Sequence, residues 1–213
     1  MPTTSLNSIS RSQFDLLTVL GILGSFIFFL GFALLIPMGI ALIYDEEIWH
    51  VFLYSASIAF VVGGGLYYFF QPKNELRVRE GFLIVSLTWL FLSLVGALPF
   101  VISGILPSYT DAVFETMSGL TTTGATIFGG TTASGFENPQ IESLPMSILF
   151  WRSLAHWLGG MGIIVLSIAI LPLLGVGGMQ LFQAESPGHT TDKLTPRVQQ
   201  TAKRLWGVYV AFT

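Results

Sequence analysis

The sequence Asp-Ala-Val-Phe-Glu-Thr-Met-Ser-Gly-Leu-Thr-Thr-Thr-Gly-Ala-Thr-Ile-Phe, residues Asp111–Phe128, lies between two long apolar segments. It is too short and too polar to cross a bilayer itself. It contains Thr121-Thr122-Thr123-Gly124-Ala125-Thr126, a hydroxyl-rich run with one glycine. Hydroxyls and glycine beside membrane helices indicate backbone carbonyls that face an ion. This interpretation depends on what flanks the stretch.

Composition places the flanking segments in a membrane. Of the 213 residues, 52% are hydrophobic and 10% are charged, whereas a soluble domain has roughly 25% charged residues. The chain also has 23 glycines, where average usage gives roughly 15. Excess glycine suits close helix packing in lipid. We therefore predict an integral membrane protein.

Several other classes are excluded by what the sequence lacks. The net charge is −3 with no basic block, so nucleic acid is not a predicted partner. No cysteine is present, which rules out disulfides and thiolate metal sites. The three histidines are scattered, and neither a His-Glu-x-x-His nor a Gly-x-Ser-x-Gly motif occurs. We predict no enzyme activity and no tightly bound cofactor.

Long apolar runs predict four membrane spans, at Leu16–Tyr44, Ile48–Phe70, Gly81–Ser103 and Met146–Leu171. The first run exceeds the roughly 7–15 residues of a signal-peptide core, so we expect a span there rather than a cleaved leader. In the second span Ser55, Ala59 and Gly63 recur every four residues. Small residues on one helix face allow another helix to approach closely.

A short helix is predicted between the third and fourth spans, with Thr110 or Asp111 as its cap. From Asp111 to Gly119 it would be about 14 Å long at 1.5 Å per residue, about half of a bilayer core. Gly129-Gly130 then turns the chain away. The pattern predicts a helix, a pore loop with a short helix, and a second helix.

The charges predict how the chain is oriented. With four spans, one side carries eight of the nine Lys and Arg residues: Arg11, Lys73, Arg77, Arg79, Lys193, Arg197, Lys203 and Arg204. The positive-inside rule places that side, and the N-terminus, in the cytoplasm. Seven of the twelve acidic residues then face outside, namely Asp45, Glu46, Glu47, Asp111, Glu115, Glu137 and Glu142. An acidic outer mouth would concentrate cations.

The Thr/Gly run has the chemistry of an ion filter. A dehydrated alkali ion needs its water replaced by oxygens, and backbone carbonyls provide them without net charge. Gly124 permits the left-handed backbone that turns successive carbonyls the same way. We therefore predict a potassium site at Thr121, Thr122, Thr123, Gly124 and Ala125. The alternative is an ordinary external loop with a Thr/Gly turn; the flanking helices favour the filter.

Arg152 is the ionisable residue that stands out within the fourth span, and it shares a helix face with His156. One hypothesis is that Arg152 pairs with an outer acid such as Glu115 and supports the filter. The alternative is that Arg152 extends to the outer interface. Glu115 itself equally fits a surface acid that complements a helix dipole. For His156 alone we favour a packing role.

Several motifs resemble the Trk/Ktr/HKT superfamily of cation transporters, and within it the bacterial Trk-type potassium uptake subunits. The similar stretches are Phe114–Thr126, Trp157–Leu166, Leu171-Pro172, Gly175–Leu181, Ala184–Gly188 and Thr201–Trp206. The resemblance implies four helix–pore loop–helix repeats around one pore, preceded by two helices. It also implies one filter glycine per repeat, matched here by Gly124.

With this resemblance the expected fold is all-α: two N-terminal transmembrane helices, one helix–pore loop–helix repeat and the start of a second. The expected domains are a two-helix hairpin (1–70), the first repeat (71–178), and a cytoplasmic connecting segment with the start of the second repeat (179–213). Family members are typically homodimers and dock a cytoplasmic, nucleotide-binding regulatory ring. The basic segment after Met179 is expected to form part of that docking surface.

The expected function is potassium uptake across the bacterial inner membrane. This chain would supply the first of four filter segments as the N-terminal part of a longer protein; self-assembly of the single repeat is the alternative. A sodium or mixed potassium/sodium permease remains an alternative within transport. A non-conducting membrane scaffold is the alternative from another class.

Overall fold

The computed structural model describes residues 16–70, 78–131, 137–170 and 194–213. These residues form helices joined by turns, with one isolated bridge between Thr131 and Glu137. The helices are α1 (Leu16–Ile43), α2 (Trp49–Phe69), α3 (Val78–Gly96), α4 (Leu98–Ile102), α5 (Tyr109–Leu120), α6 (Met146–Ile170) and α7 (Leu194–Ala211), with a 3-10 turn at Ile141–Ser143. The predicted all-α fold and its order of elements are confirmed.

Three segments among the described residues are long and apolar enough to cross a membrane: Leu16–Ile43, Trp49–Phe69 and Glu80–Ile102. They match the first three predicted spans. The fourth predicted span is helix α6, with 25 residues. At 1.5 Å per residue it is about 38 Å long, enough for a hydrocarbon core of about 30 Å.

Helices α1 and α2 pack closely through small residues. A Cβ atom on Gly24 would lie 2.6 Å from the Tyr67 amide nitrogen, and a Cβ on Gly63 would lie 2.7 Å from the Gly24 carbonyl oxygen. Ser55 and Ala59 are fully buried on the same face. In lipid, such contacts stabilise helix pairs through van der Waals packing. The close approach predicted for this face of α2 is confirmed.

The third span is interrupted, which corrects the single helix predicted from Gly81 to Ser103. Helix α3 ends at Gly96, and α4 begins after a turn at Ala97. Pro99, the second residue of α4, has no amide hydrogen and cannot continue the ladder of α3. The Phe100 amide bonds to the Ala97 carbonyl instead. The Gly96 carbonyl is left to accept from the Trp151 indole at 3.0 Å.

The N-terminal hairpin packs against the repeat. Helix α1 contacts α3 and α6 as well as α2. One apolar core joins the hairpin to the repeat and includes Ile27, Leu34, Phe52, Phe100, Ile148 and Trp151. Helix α7 lies on α6, where Tyr209 Oη donates to the Trp157 carbonyl at 3.0 Å.

Some sequence predictions fall outside the described residues. These are Arg11, Lys73 and Arg77, the end of the fourth span at Leu171–Gly178, and the basic segment from Met179 to Lys193. The bounds of the three domains stay a prediction.

Candidate functional site: the filter turn and its support

Helix α5 brings the chain to the site. Its cap is Ser108, whose hydroxyl accepts from the Asp111 amide at 3.4 Å, so the predicted cap at Thr110 or Asp111 is wrong. The helix starts two residues earlier than expected, which places both of those residues inside its first turn. Its 12 residues are about 18 Å long at 1.5 Å per residue, roughly half of a bilayer.

Close contacts at two glycines hold α5 between α3 and α6. A Cβ atom on Gly159 of α6 would overlap the Leu120 carbonyl at the end of α5. On the other side, a Cβ on Gly96 of α3 would lie 2.9 Å from Thr116 Cγ2. Glycine is needed at both positions because any side chain would push α5 away. The end of α5 therefore has a fixed position.

The residues that follow α5, Thr121–Ala125, form what we call the filter turn. Thr122 and Gly124 have left-handed backbone, with φ of 57° and 75°. A β-branched residue pays roughly 1–2 kcal/mol for this conformation. Backbone hydrogen bonds to α5 hold it: Thr122 N donates to Gly119 O and Thr123 N to Ser118 O, each at 2.9 Å, and Gly124 N donates to Ser118 O at 3.4 Å.

The carbonyls of the filter turn are largely free. Within the described parts of the chain, no hydrogen bond reaches the carbonyl oxygens of Thr121, Thr122, Thr123 or Gly124. Ala125 differs, because its carbonyl accepts from the Ser118 hydroxyl at 2.6 Å; its second lone pair is still available. Backbone groups at membrane depth need a polar partner. Four successive oxygens are thus available to an ion.

A buried ion pair lies beside the filter turn. The Glu115 side chain is 3% exposed, and its Oε1 lies 2.8 Å from Nε of Arg152. Two further donors reach the carboxylate: the Thr126 hydroxyl, at 3.0 and 3.1 Å from its two oxygens, and the Ile127 amide at 3.1 Å. A buried carboxylate with an ion-pair partner and hydrogen bonds avoids the large cost of an isolated charge.

Arg152 contacts the same segment a second time. Its Nη2 donates to Thr126 Oγ1 at 3.3 Å, and its guanidinium carbon lies 5.0 Å from the centroid of the Phe128 ring. The structure thus brings Glu115 and Arg152 together in the arrangement of the pairing hypothesis. The Glu115–Arg152 pair holds Thr126–Phe128, the residues by which the chain leaves the filter turn. We call these residues the exit segment.

His156 packs against the filter turn from α6. Its Nδ1 lies 2.9 Å from the Arg152 carbonyl oxygen. A carbonyl only accepts, so Nδ1 carries the hydrogen. Nε2 faces the turn, 4.0 Å from the position that a Cβ on Gly124 would take. These contacts fit the packing role favoured for this histidine.

The sequence did not predict the roles of three residues that support the site. Ser118 holds the Ala125 carbonyl, and the Thr126 side chain joins both members of the ion pair. Glu46 binds the first amides of α6. Ser118 and Thr126 belong to the short polar stretch already singled out, whereas no local pattern marks Glu46.

A separate apolar cavity of about 530 Å³ lies between α1, α3, α6 and α7. Its lining includes Phe29, Trp89, Leu158, Met161 and Trp206. Apolar walls cannot replace the water around a cation. The filter turn, not this cavity, is the candidate ion site. Among the described side chains, no group of three or more His, Cys, Asp or Glu residues is placed to hold a metal ion.

Comparisons with known proteins identify the family. The TrkH family profile, a cation transport protein, matches residues 49–213. The Trk system potassium uptake protein TrkH of Escherichia coli K12 is 47% identical over 196 residues, which are 90% of this chain and 38% of that protein. TrkH of Halomonas elongata is 44% identical over 198 residues, 92% of this chain and 39% of that protein.

A solved structure shows the same fold. The crystal structure of the potassium transporter TrkH from Vibrio parahaemolyticus matches with a TM-score of 0.74 and 36% identity, covering 93% of this chain and 37% of that chain. The present chain spans less than two-fifths of the length of these relatives. The predicted resemblance is confirmed: the chain belongs to the TrkH family of cation transport proteins.

Proposed function

We propose that this chain supplies the first of four segments of a potassium-selective filter in a Trk-type uptake system of the bacterial inner membrane. One observation carries the proposal. Four successive carbonyls, from Thr121 to Gly124, have no hydrogen-bond partner among the described residues. They follow a helix of half a membrane's length that backbone contacts hold in place.

The proposed mechanism replaces water with carbonyl oxygens. A potassium ion that enters from the acidic outer side loses part of its hydration shell to the filter turn. The carbonyls are neutral, so the ion is not trapped and can leave inward. The membrane potential contributes about 2.3 kcal/mol per charge per 100 mV to inward movement. Ala125 stays in the proposed site through its second lone pair.

Glu115 and Arg152 act in this proposal as support for the filter rather than as ion ligands. The carboxylate is buried and already accepts from Arg152, Thr126 and Ile127. Its negative charge is balanced by the guanidinium. An unpaired buried carboxylate would hold a cation strongly and slow its release. The pair therefore fixes the exit segment without adding net charge beside the filter.

The proposed setting follows the charge pattern and the relatives. The excess of Lys and Arg on one side supports a cytoplasmic N-terminus. The relatives are components of a Trk system for potassium uptake. We propose that the complete transporter is a homodimer that docks a nucleotide-binding ring in the cytoplasm.

The filter glycine provides the test. Gly124 and Gly104 have nearly the same left-handed φ, 75° and 73°, and neither is crowded: nothing lies within 4 Å of a Cβ on Gly104, and His156 Nε2 lies 4.0 Å from one on Gly124. Serine at either position therefore introduces a similar backbone strain. Only Gly124 lies in the filter turn.

Uptake of potassium and sodium is measured in potassium-uptake-deficient cells that express the complete transporter. We expect Gly124→Ser to lower the potassium/sodium ratio about tenfold, equivalent to about 1.4 kcal/mol of lost discrimination. Gly104→Ser should keep the wild-type ratio. An unchanged ratio in Gly124→Ser would overturn the filter assignment. A wild-type ratio near one would favour the mixed permease, and no ion uptake would favour the scaffold.

A further inference from the structure

Helix α6 lacks a cap of its own. It begins at Met146, directly after Pro145. The Pro145 carbonyl accepts from the Ile148 and Leu149 amides at 3.1 and 3.0 Å. Proline has no side-chain oxygen, so it cannot accept from the first amides of the helix, as Ser, Thr, Asp or Asn would do. The Met146 and Ser147 amides need an acceptor from elsewhere.

Glu46 provides that acceptor from the turn between α1 and α2. Its Oε1 accepts from the Met146 amide at 2.6 Å. Its Oε2 accepts from the Ser147 amide at 3.3 Å and also from the Ser147 hydroxyl. Glu46 precedes Met146 by a hundred residues. A carboxylate at this place also complements the positive end of the helix dipole.

The capped helix carries the residue that supports the filter. Arg152 lies six residues after Met146 on α6, about 9 Å further along the axis at 1.5 Å per residue. Its Nε must meet Glu115, which in turn holds Thr126 and Ile127. A small axial shift or rotation of the start of α6 would lengthen the 2.8 Å contact.

We propose that Glu46 is a positioning residue for the filter: by capping α6 from the N-terminal hairpin, it sets where Arg152 meets Glu115. The inference rests on the proposed function, because it assigns Glu46 an effect on ion selectivity. It also gives the hairpin a role beyond membrane anchoring. The hairpin then contributes to permeation without placing a residue in the filter turn.

Glu47 offers a matched control. It lies in the same turn, its side chain is exposed, and it has the same charge. Replacing either glutamate by alanine therefore removes one negative charge from the same turn. Only Glu46→Ala removes the cap. A difference in the potassium/sodium uptake ratio between the two variants therefore measures the effect of the cap and not the attraction of cations to an acidic surface.

The potassium/sodium uptake ratio of the complete transporter is the measurement, because a ratio does not depend on how much protein reaches the membrane. We expect Glu46→Ala to lower the ratio about fivefold, because the first amides of α6 lose their acceptor and Arg152 is no longer held in place against Glu115. Glu46→Gln keeps one acceptor oxygen and should have an intermediate ratio. Glu47→Ala should equal the wild type.

The outcomes separate the two proposals. Wild-type potassium uptake together with an unchanged ratio in Glu46→Ala overturns the inference and leaves the proposed function in place. No potassium uptake by the wild type overturns both. If Glu46→Ala does not accumulate in the membrane, Glu46→Gln decides, and a wild-type ratio in that variant overturns the inference.

Discussion

The filter turn (Thr121–Ala125) and the exit segment (Thr126–Phe128) are adjacent in the chain but are held in opposite ways. In the filter turn, the Thr121–Gly124 carbonyls have no hydrogen-bond partner among the described residues. In the exit segment, a hydroxyl and an amide bind the buried Glu115, and Phe128 lies under Arg152. The polar contacts to Glu115 and Arg152 thus lie in the exit segment and not on the Thr121–Gly124 carbonyls.

This contrast shows how the backbone of a site can be held in place while its carbonyl oxygens stay free of protein donors. A carbonyl that accepts from a protein donor has less capacity for an ion. If the filter turn were fixed through its own oxygens, those oxygens would be occupied and could not serve the ion site proposed above. Fixing the next segment holds the geometry while leaving those oxygens free. Functional groups held by a supporting layer of contacts follow the same logic in other binding sites.

The largest expected effect comes from removing the centre of the support. Glu115→Ala leaves Arg152 partly buried without its partner and removes the acceptor for Thr126 and Ile127. Breaking a buried ion pair costs about 3–5 kcal/mol of stability. We expect a clearly lower melting temperature in detergent and potassium uptake near background. Glu142→Ala, an exposed acid on the 3-10 turn, should behave like the wild type in both measurements.

Near-normal melting and uptake in Glu115→Ala would show that the exit segment does not depend on its carboxylate. The contacts that distinguish the exit segment from the filter turn would then contribute neither to stability nor to uptake.

A smaller effect is expected from Arg152→Gln. Glu115 keeps its bonds from Thr126 and Ile127, and glutamine can still donate, so the loss is about 2 kcal/mol, as for one hydrogen bond to a charged group. We expect the potassium/sodium ratio to fall while measurable uptake remains. Lys203→Gln, which removes an exposed positive charge on α7, is the control.

A double-mutant cycle sharpens this result. With Glu115→Gln, Arg152→Gln and the double variant, contacting residues should show a coupling energy of about 0.5–3 kcal/mol in thermal or chemical unfolding. If the changes in unfolding free energy were additive, the 2.8 Å contact between Glu115 and Arg152 would contribute no coupling energy.

The smallest effects are expected from a matched pair of threonines. The Thr126 hydroxyl contacts Glu115 and Arg152, whereas the Thr123 hydroxyl contacts only the Thr121 hydroxyl, at 2.9 Å, among the described residues. Valine has nearly the same shape without the hydroxyl. We expect potassium uptake to fall about fivefold for Thr126→Val and less than about twofold for Thr123→Val, since lost bonds to charged groups cost more. The reverse order would contradict the comparison.

Much of the architecture was predictable because its signals are local. Long apolar runs gave the spans, and the polar stretch from Asp111 to Phe128 marked a helix too short to cross. Arg152 stands out in the sequence because charged residues within spans are rare. Glu115 was named as its partner because it was an acid on the same predicted side. The pairing was one of two alternatives that the sequence supported for Arg152, whereas its geometry comes from the structure.

Other features were not predictable because they depend on tertiary packing. The cap of α6 comes from a residue a hundred positions away, and no local pattern records it. The break at Ala97 was not predictable because it depends on a distant residue: the Trp151 indole donates to the Gly96 carbonyl. The Ser108 cap was missed because three polar residues in that region, Ser108, Thr110 and Asp111, fit the capping pattern equally well.

The contact between Gly159 and Leu120 has a mechanical consequence. Because backbone meets backbone there, no change of side-chain rotamer can loosen it. A movement of α6 toward α5 would therefore press on the Leu120 backbone and on the residues that follow it. The same helix is bonded at its first residues to Glu46, so the N-terminal hairpin and the end of α5 are both in contact with α6.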